Sequence, residues 1–148
     1  MSRTDAQNLT TLPLSLFEDN TTIQTFDELR LFGNIEIEGR CFRNATNLSS
    51  IDLTNVTRVK GTSSFENCSN LSIKLNMPNL VSLGQFSFRN SGITEIEDLG
   101  HITEIPGYNS ACFNGCDNLT KVTLPQSCLK LGEACFAEDV NLTTISPT

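Results

Sequence analysis

The sequence predicts an α/β solenoid, mostly β, of about six coils of 23–25 residues with one short parallel strand per coil. Three observations predict it. Phe17, Phe42, Phe65, Phe88, Phe113 and Phe136 are separated by 25, 23, 23, 25 and 23 residues. A fixed period in that range marks one supersecondary unit copied along an axis, each copy too small to bury its own apolar face. The neighbours of each Phe recur with it, as in Ser64-Phe65-Glu66-Asn67-Cys68-Ser69-Asn70-Leu71 and Cys112-Phe113-Asn114-Gly115-Cys116-Asp117-Asn118-Leu119. After each unit's Leu the apolar period switches to two, as a half-buried strand requires.

Taken in order, residues 1–8 precede the first coil as an N-terminal extension of a domain spanning residues 1–148, one domain by length. Each coil then opens on a Phe-led bend. The residue before Phe is small in five coils, Cys41, Ser64, Ser87, Cys112 and Cys135, because two coils press together there and a larger side chain would overpack; Leu16 departs. Five residues after Phe come Asn47, Asn70, Asn118 and Asn141, whose stacked side chains can bond backbone groups that the turn leaves unpaired. A strand follows, Leu48-x-x-Ile51-x-Leu53 or Leu119-x-x-Val122-x-Leu124, the latter closed by Pro125. A second apolar, extended segment leads to a Gly four residues before the next Phe, as in Leu83-Gly84 and Leu131-Gly132. Ile35 and Ile37 alternate with Glu36 and Glu38 in the same strand-like way. Parallel stacking at about 4.8 Å per coil makes a rod of roughly 25–30 Å.

The pattern small-Phe-x-x-Cys-x-Asn-Leu-x-x-Ile-x-Leu-Pro, then Leu-x-Leu-Gly, resembles the BspA-type leucine-rich repeat over residues 9–148. The resemblance implies a curved, strand-rich solenoid used for binding or adhesion on surface proteins of gut anaerobes, on protozoan surfaces and in phage virion proteins. Three departures stand out. Lys74 lies where an inward Ile is expected, which predicts a one-residue slip in Leu71-Ser72-Ile73-Lys74-Leu75. Ile93 arrives one residue early, and the 25-residue coils 17–42 and 88–113 are expected to carry bulged loops.

A net charge of −7, with ten Lys and Arg scattered singly, argues against nucleic acid and anionic membranes, which need basic stripes. No stretch approaches the roughly 18 apolar residues of a membrane span. The start, Met-Ser-Arg-Thr-Asp-Ala-Gln, shows no secretory signal, so the chain is expected either to stay where it is made until assembly or to be a piece of an exported protein. Of the six cysteines, Cys41, Cys112 and Cys135 fill the slot before Phe, and Cys68 and Cys116 the slot three after it. Packing thus accounts for five of them as free thiols, and a single bridge involving Cys128 is the alternative. A zinc reading of Cys112-x-x-x-Cys116 lacks the second pair of ligands.

Catalysis finds little material, with His101 the single histidine, Tyr108 the single tyrosine, no Trp, and neither a phosphate loop nor a Ser elbow. The protein reads as a non-enzyme without cofactor or metal. Glu95, Glu97, Asp98 and Glu104 lack the regular spacing of a calcium loop and read as a solvated acidic face. Nine Asn-x-Ser/Thr sequons, most of them part of the repeat, could carry sugars in a secreted eukaryotic context.

The binding candidate is the outward face of the strand ladder: Ser50, Asp52, Glu95, Glu97, Thr120, Lys121 and Thr123, with Ser49, Thr94, Thr143 and Thr144 beside them. Small hydroxyls and a few charges on a rigid sheet suit a surface glycan or a protein partner, although Thr also simply favours exposed strands. Inserted loops near Phe32 and Tyr108 are further candidates. The last residues, Leu142-Thr-Thr-Ile145-Ser-Pro-Thr148, follow a strand without a capping segment. Another subunit or domain, or a longer array, is therefore expected to cover that end. The expected function is a protein- or glycan-binding module of a phage virion (tail or fibre) or a cell-surface protein. The alternative is a structural virion component whose ends dock other subunits.

Overall fold

The computed structural model describes residues 2–107, 109 and 111–148. In chain order it holds α1 (Arg3–Asn8), β1 (Thr11–Leu12), β2 (Thr25–Phe26), the 3₁₀ turn η1 (Asp27–Leu31), β3 (Ile35–Ile37), β4 (Ser50–Ile51) and β5 (Val56–Val59). There follow β6 (Lys74–Asn76), β7 (Glu95–Asp98), β8 (Glu104–Ile105), β9 (Lys121–Leu124), β10 (Lys130–Leu131) and β11 (Thr144–Pro147). Every pairing is parallel and joins residues one coil apart, such as Thr25 with Ser50 and Lys121 with Thr144. Two strand ladders result, not one. The first runs β2–β4 and then β6–β7–β9–β11; the second runs β1–β3–β5 and then β8–β10. The second extended segment of each coil thus pairs as well, because Val56 and Val59 point inward and leave the backbone of that segment facing its neighbours.

The Phe bend forms a third axial ladder that no strand label covers. Phe17 N–H donates to the Cys41 carbonyl at 2.7 Å, Phe42 to Ser64 at 2.8 Å, Phe65 to Ser87 at 2.7 Å, Phe88 to Cys112 at 2.9 Å and Phe113 to Cys135 at 3.0 Å. Residues two before and two after Phe17, Phe42, Phe65, Phe88 and Phe136 take left-handed backbone angles, as at Arg40 and Asn44 (φ 56° and 59°) or Ser63 and Asn67 (both 61°), and so does Gly115 after Phe113. That alternation turns the chain while aiming alternate N–H groups along the axis, where the next coil's carbonyls accept them. Inside the bends the rings stack, with centroid separations of 5.2, 5.0, 4.9, 5.6 and 5.6 Å from Phe17 through to Phe136. Neighbouring planes lie within 19° of parallel, in the offset-stacked range. The four inner rings are fully buried, whereas Phe17 and Phe136 at the ends are only partly so.

The predicted departures have local causes. Lys74 is exposed and Leu75 is fully buried in the inward slot, so the slip falls where the sequence places it. The additional residue between Leu71 and Leu75 pushes the chain away from the preceding coil, and the first ladder breaks there, between β4 and β6. Ile93 is fully buried although one residue early. The turn before it is shortened at Gly92, where a Cβ would collide with the Ser69 carbonyl. In coil 17–42 the additional residues form η1, against which α1 packs, so residues 3–8 join the first coil as a helix with Ala6 buried. The loop at Tyr108 in coil 88–113 lies outside the described residues.

All six thiols are free; five are buried and Cys128 is half-buried. Burial pushes Cys41, Cys68 and Cys116 up to about 12 and Cys135 to about 11, and it raises Cys112 as well. They are protonated small hydrophobes in contact with the previous coil, as where Cys68 Sγ and Cys116 Sγ lie 3.1 Å from the Phe42 and Phe88 carbonyls. Thiol titration in denaturant is therefore expected to count six, and in the native protein Cys128 should react first; a lower denatured count would reveal a bridge. Phe65→Ala removes a ring that touches rings on both sides, and the expected loss is about 3–5 kcal/mol, read as a lowered urea midpoint. Phe17→Ala, at the open end of the stack, should lose clearly less.

Candidate functional site

The outward strand face is positioned by the buried slots beneath it: Ile96 and Val122 are fully buried, so Glu95, Glu97, Lys121 and Thr123 must point the other way. Glu95 lies opposite Lys121 in register, and Thr144 opposite Lys121 on the other side. The ladder break divides the predicted face. Glu95, Glu97, Thr120, Lys121 and Thr123 belong to the β6–β7–β9–β11 sheet or its edge, whereas Ser50 and Asp52 sit with the β2–β4 pair.

Most of these side chains have internal partners. Ser50 Oγ donates to Asp27 Oδ1 at 2.5 Å, and Asp52 Oδ1 accepts from Thr54 N–H at 3.0 Å and from its hydroxyl at 2.6 Å. Lys74 Nζ lies 3.2 Å from Glu95 Oε1 and 3.6 Å from Glu97 Oε1, a pairing that raises the pKa of Lys74 through its hydrogen bond to Glu95. Thr120 Oγ1 donates to the Thr94 carbonyl at 3.2 Å, one of a row continued by Thr143 to Thr120. Among the described residues only Lys121 and Thr123 of the predicted set keep side chains without an internal bond. Where the ladder breaks, Asp27, Asp52, Thr54, Ile73, Lys74 and Asn76 line a cleft of about 260 Å³.

Other predicted features separate in space. Glu104 pairs with Lys130 at 3.1 Å on the second ladder, and Asp98 Oδ1 accepts from Gly100 N–H at 2.7 Å, so the acidic set divides among distinct partners. His101 is exposed, with its backbone N–H on the Leu80 carbonyl at 2.7 Å. Near Phe32 a groove of about 330 Å³ opens between α1 and η1, lined by Ser2, Arg3, Ala6, Glu28, Leu31 and Phe32. A wider groove of about 770 Å³ lies where the second ladder breaks, between Gly84 and Gly107. Tyr108 is outside the described residues.

Two axial rows escaped the sequence reading. Asn44 Nδ2 donates to Asp19 Oδ1, Asn67 to Asn44 and Asn90 to Asn67, at 2.7, 2.7 and 3.0 Å, and Gly115 ends the row because a Cβ there would meet Asn90 Oδ1. The recurrence of Asn two residues after Phe was the available signal. Asn47 and Asn141, in the predicted ladder, instead donate to the Thr21 and Asp117 carbonyls of the preceding coil at 2.6 and 2.7 Å. One residue after Phe, charges alternate: Arg43 lies 3.2 Å from Glu18 and 3.3 Å from Glu66, and Arg89 lies 3.6 Å from Glu66. A parallel network on the second ladder joins Glu36 to Arg58 and Lys60, and Lys60 to Glu38.

A family model of the BspA type leucine rich repeat region matches residues 4–109 and 35–147, with six copies. The fold is similar to that of a leucine-rich repeat protein from Bacteroides ovatus ATCC 8483, with a TM-score of 0.60 and 19% identity over 92% of this chain. The chain spans 40% of that protein's length. No curated protein matches the chain. The repeat that builds the stacked Phe bends is therefore that of the matched family, and the chain belongs to the BspA-type leucine-rich repeat family, whose repeats serve as interaction modules.

Proposed function

We propose that the protein is a non-enzymatic recognition module that holds a protein or surface-glycan partner against the outer face of the β6–β7–β9–β11 sheet, as part of a virion tail or fibre or of a cell-surface protein. One observation carries this reading: among the described residues the Lys121 and Thr123 side chains make no internal bond, on a sheet whose inner Ile96 and Val122 are fully buried, with Thr144 beside Lys121. A free ammonium and hydroxyls on a rigid surface can bond a partner without first breaking internal bonds, and the ordering entropy is already spent in folding. Glu95, Glu97 and Thr120 then act as the fixed surroundings of that patch, and Ser50 and Asp52 lie across the ladder break from it. The alternative, a structural assembly component docked through its ends, is favoured by the partly exposed Phe17 and Phe136.

Changing Thr120, Lys121 and Thr123 together to Ala is expected to reduce binding to a glycan array or to intact cells at least tenfold while leaving the thermal midpoint nearly unchanged. Retained binding with a failure to assemble into larger particles would move the reading to the structural alternative.

A further inference from the structure

Asp139 occupies a slot that elsewhere holds a neutral residue. Three residues after Phe come Ala45, Cys68, Ser91 and Cys116, and in the last coil Asp139. In two of those coils the thiol reaches back to the carbonyl of the preceding coil's Phe: Cys68 to Phe42 and Cys116 to Phe88, each at 3.1 Å. The carbonyl next in that row belongs to Phe113, and the side chain that follows it is Asp139. Asp139 as a residue is 9% exposed; its Oδ1 accepts from Cys116 N–H at 2.8 Å, and its buried Oδ2 has no partner among the described residues. The titratable groups about it are the Cys116 and Cys135 thiols, Asp117 and Glu138; no ion pair to Asp139 occurs among the described residues.

We propose that Asp139 is a protonated carboxylic acid in the closed last coil, its Oδ2–H taking the place of a thiol as donor to the Phe113 carbonyl, and that loss of this proton opens the coil formed by residues 135–148. An ionised carboxylate here would be buried with one oxygen unbonded, a costly arrangement. Burial accordingly pushes the group from 3.8 up to about 7, against the opposing hydrogen bond from Cys116 N–H and with further upward push from Asp117 and Glu138. This opening does not rest on partner recognition, although the opening coil carries β11, whose Thr144 lies beside Lys121.

Because the closed coil binds the proton more tightly than the opened chain does, its stability from this group is complete below pH 3.8 and is lost as pH rises through about 7. Native-state hydrogen exchange of the β11 amides, corrected for intrinsic rates, should show opening that increases up to about tenfold per pH unit across that window and levels off above it. Asp139→Cys, which continues the thiol row, and Asp139→Asn, which keeps a donor without a titration, should both flatten this dependence and raise protection above neutrality. The carboxyl carbon shift of Asp139 in the wild-type chain, followed by NMR, gives a readout that requires no variant. A midpoint in the ordinary Asp range, or β11 opening that is flat from acid to neutral pH, would overturn the proposal.

Discussion

Each coil encloses too little volume to bury a Phe ring alone, and the rings are buried only because the coils stack on one another at the spacing of a parallel backbone ladder. Ring separations of 4.9–5.6 Å match the axial repeat that parallel hydrogen bonding imposes, so ring packing and backbone pairing favour the same geometry. Nearly everything else follows from this match. The residue before Phe is small because it presses on the preceding coil, and left-handed residues flank the ring because alternate N–H groups must face along the axis. Like slots then lie against like slots, five times over, and a side chain that suits one interface tends to suit the next.

That same rule makes departures costly and localises them. The additional residue before Leu75 is taken back later in the same 23-residue coil, so the slip stays local and coincides with the break in the first ladder. The break divides the outward face into two parts, and its cleft collects Asp52 and Lys74, which the linear sequence assigns to separate strands. Coil 17–42 places its surplus in η1, where α1 packs, and its strands stay paired with one register shift between Ile35 and Glu36.

Stacking of equivalent slots also governs polar residues. Identical charges in one row would repel at about 5 Å, and Glu18, Arg43, Glu66 and Arg89 alternate in sign accordingly. Amides can follow one another because each both donates and accepts, which is why Asn44, Asn67 and Asn90 form a chain that a row of carboxylates could not. Asp139 breaks this logic by placing an acid where the row supplies thiols, and its environment favours the neutral form.

The sequence by itself determined the period, the inward Phe, Leu and Ile slots, the parallel winding, the slip at Lys74 and the packing role of five cysteines. These are legible because a repeat prints the same physical requirement several times, and the recurrence separates it from chance. It did not reveal the second strand ladder, since short segments such as Lys130–Leu131 carry no periodicity of their own and pair only because their neighbours hold them in place. Nor did it show which members of the outward face are free. Ser50, Glu95, Glu97 and Thr120 look alike in sequence to Lys121 and Thr123, and only the tertiary structure commits the first four to partners, whereas Asp52 bonds locally to Thr54. Partners such as Asp27 for Ser50 and Lys74 for Glu95 lie about one coil away in the chain, so their bonds exist only once the coils are stacked.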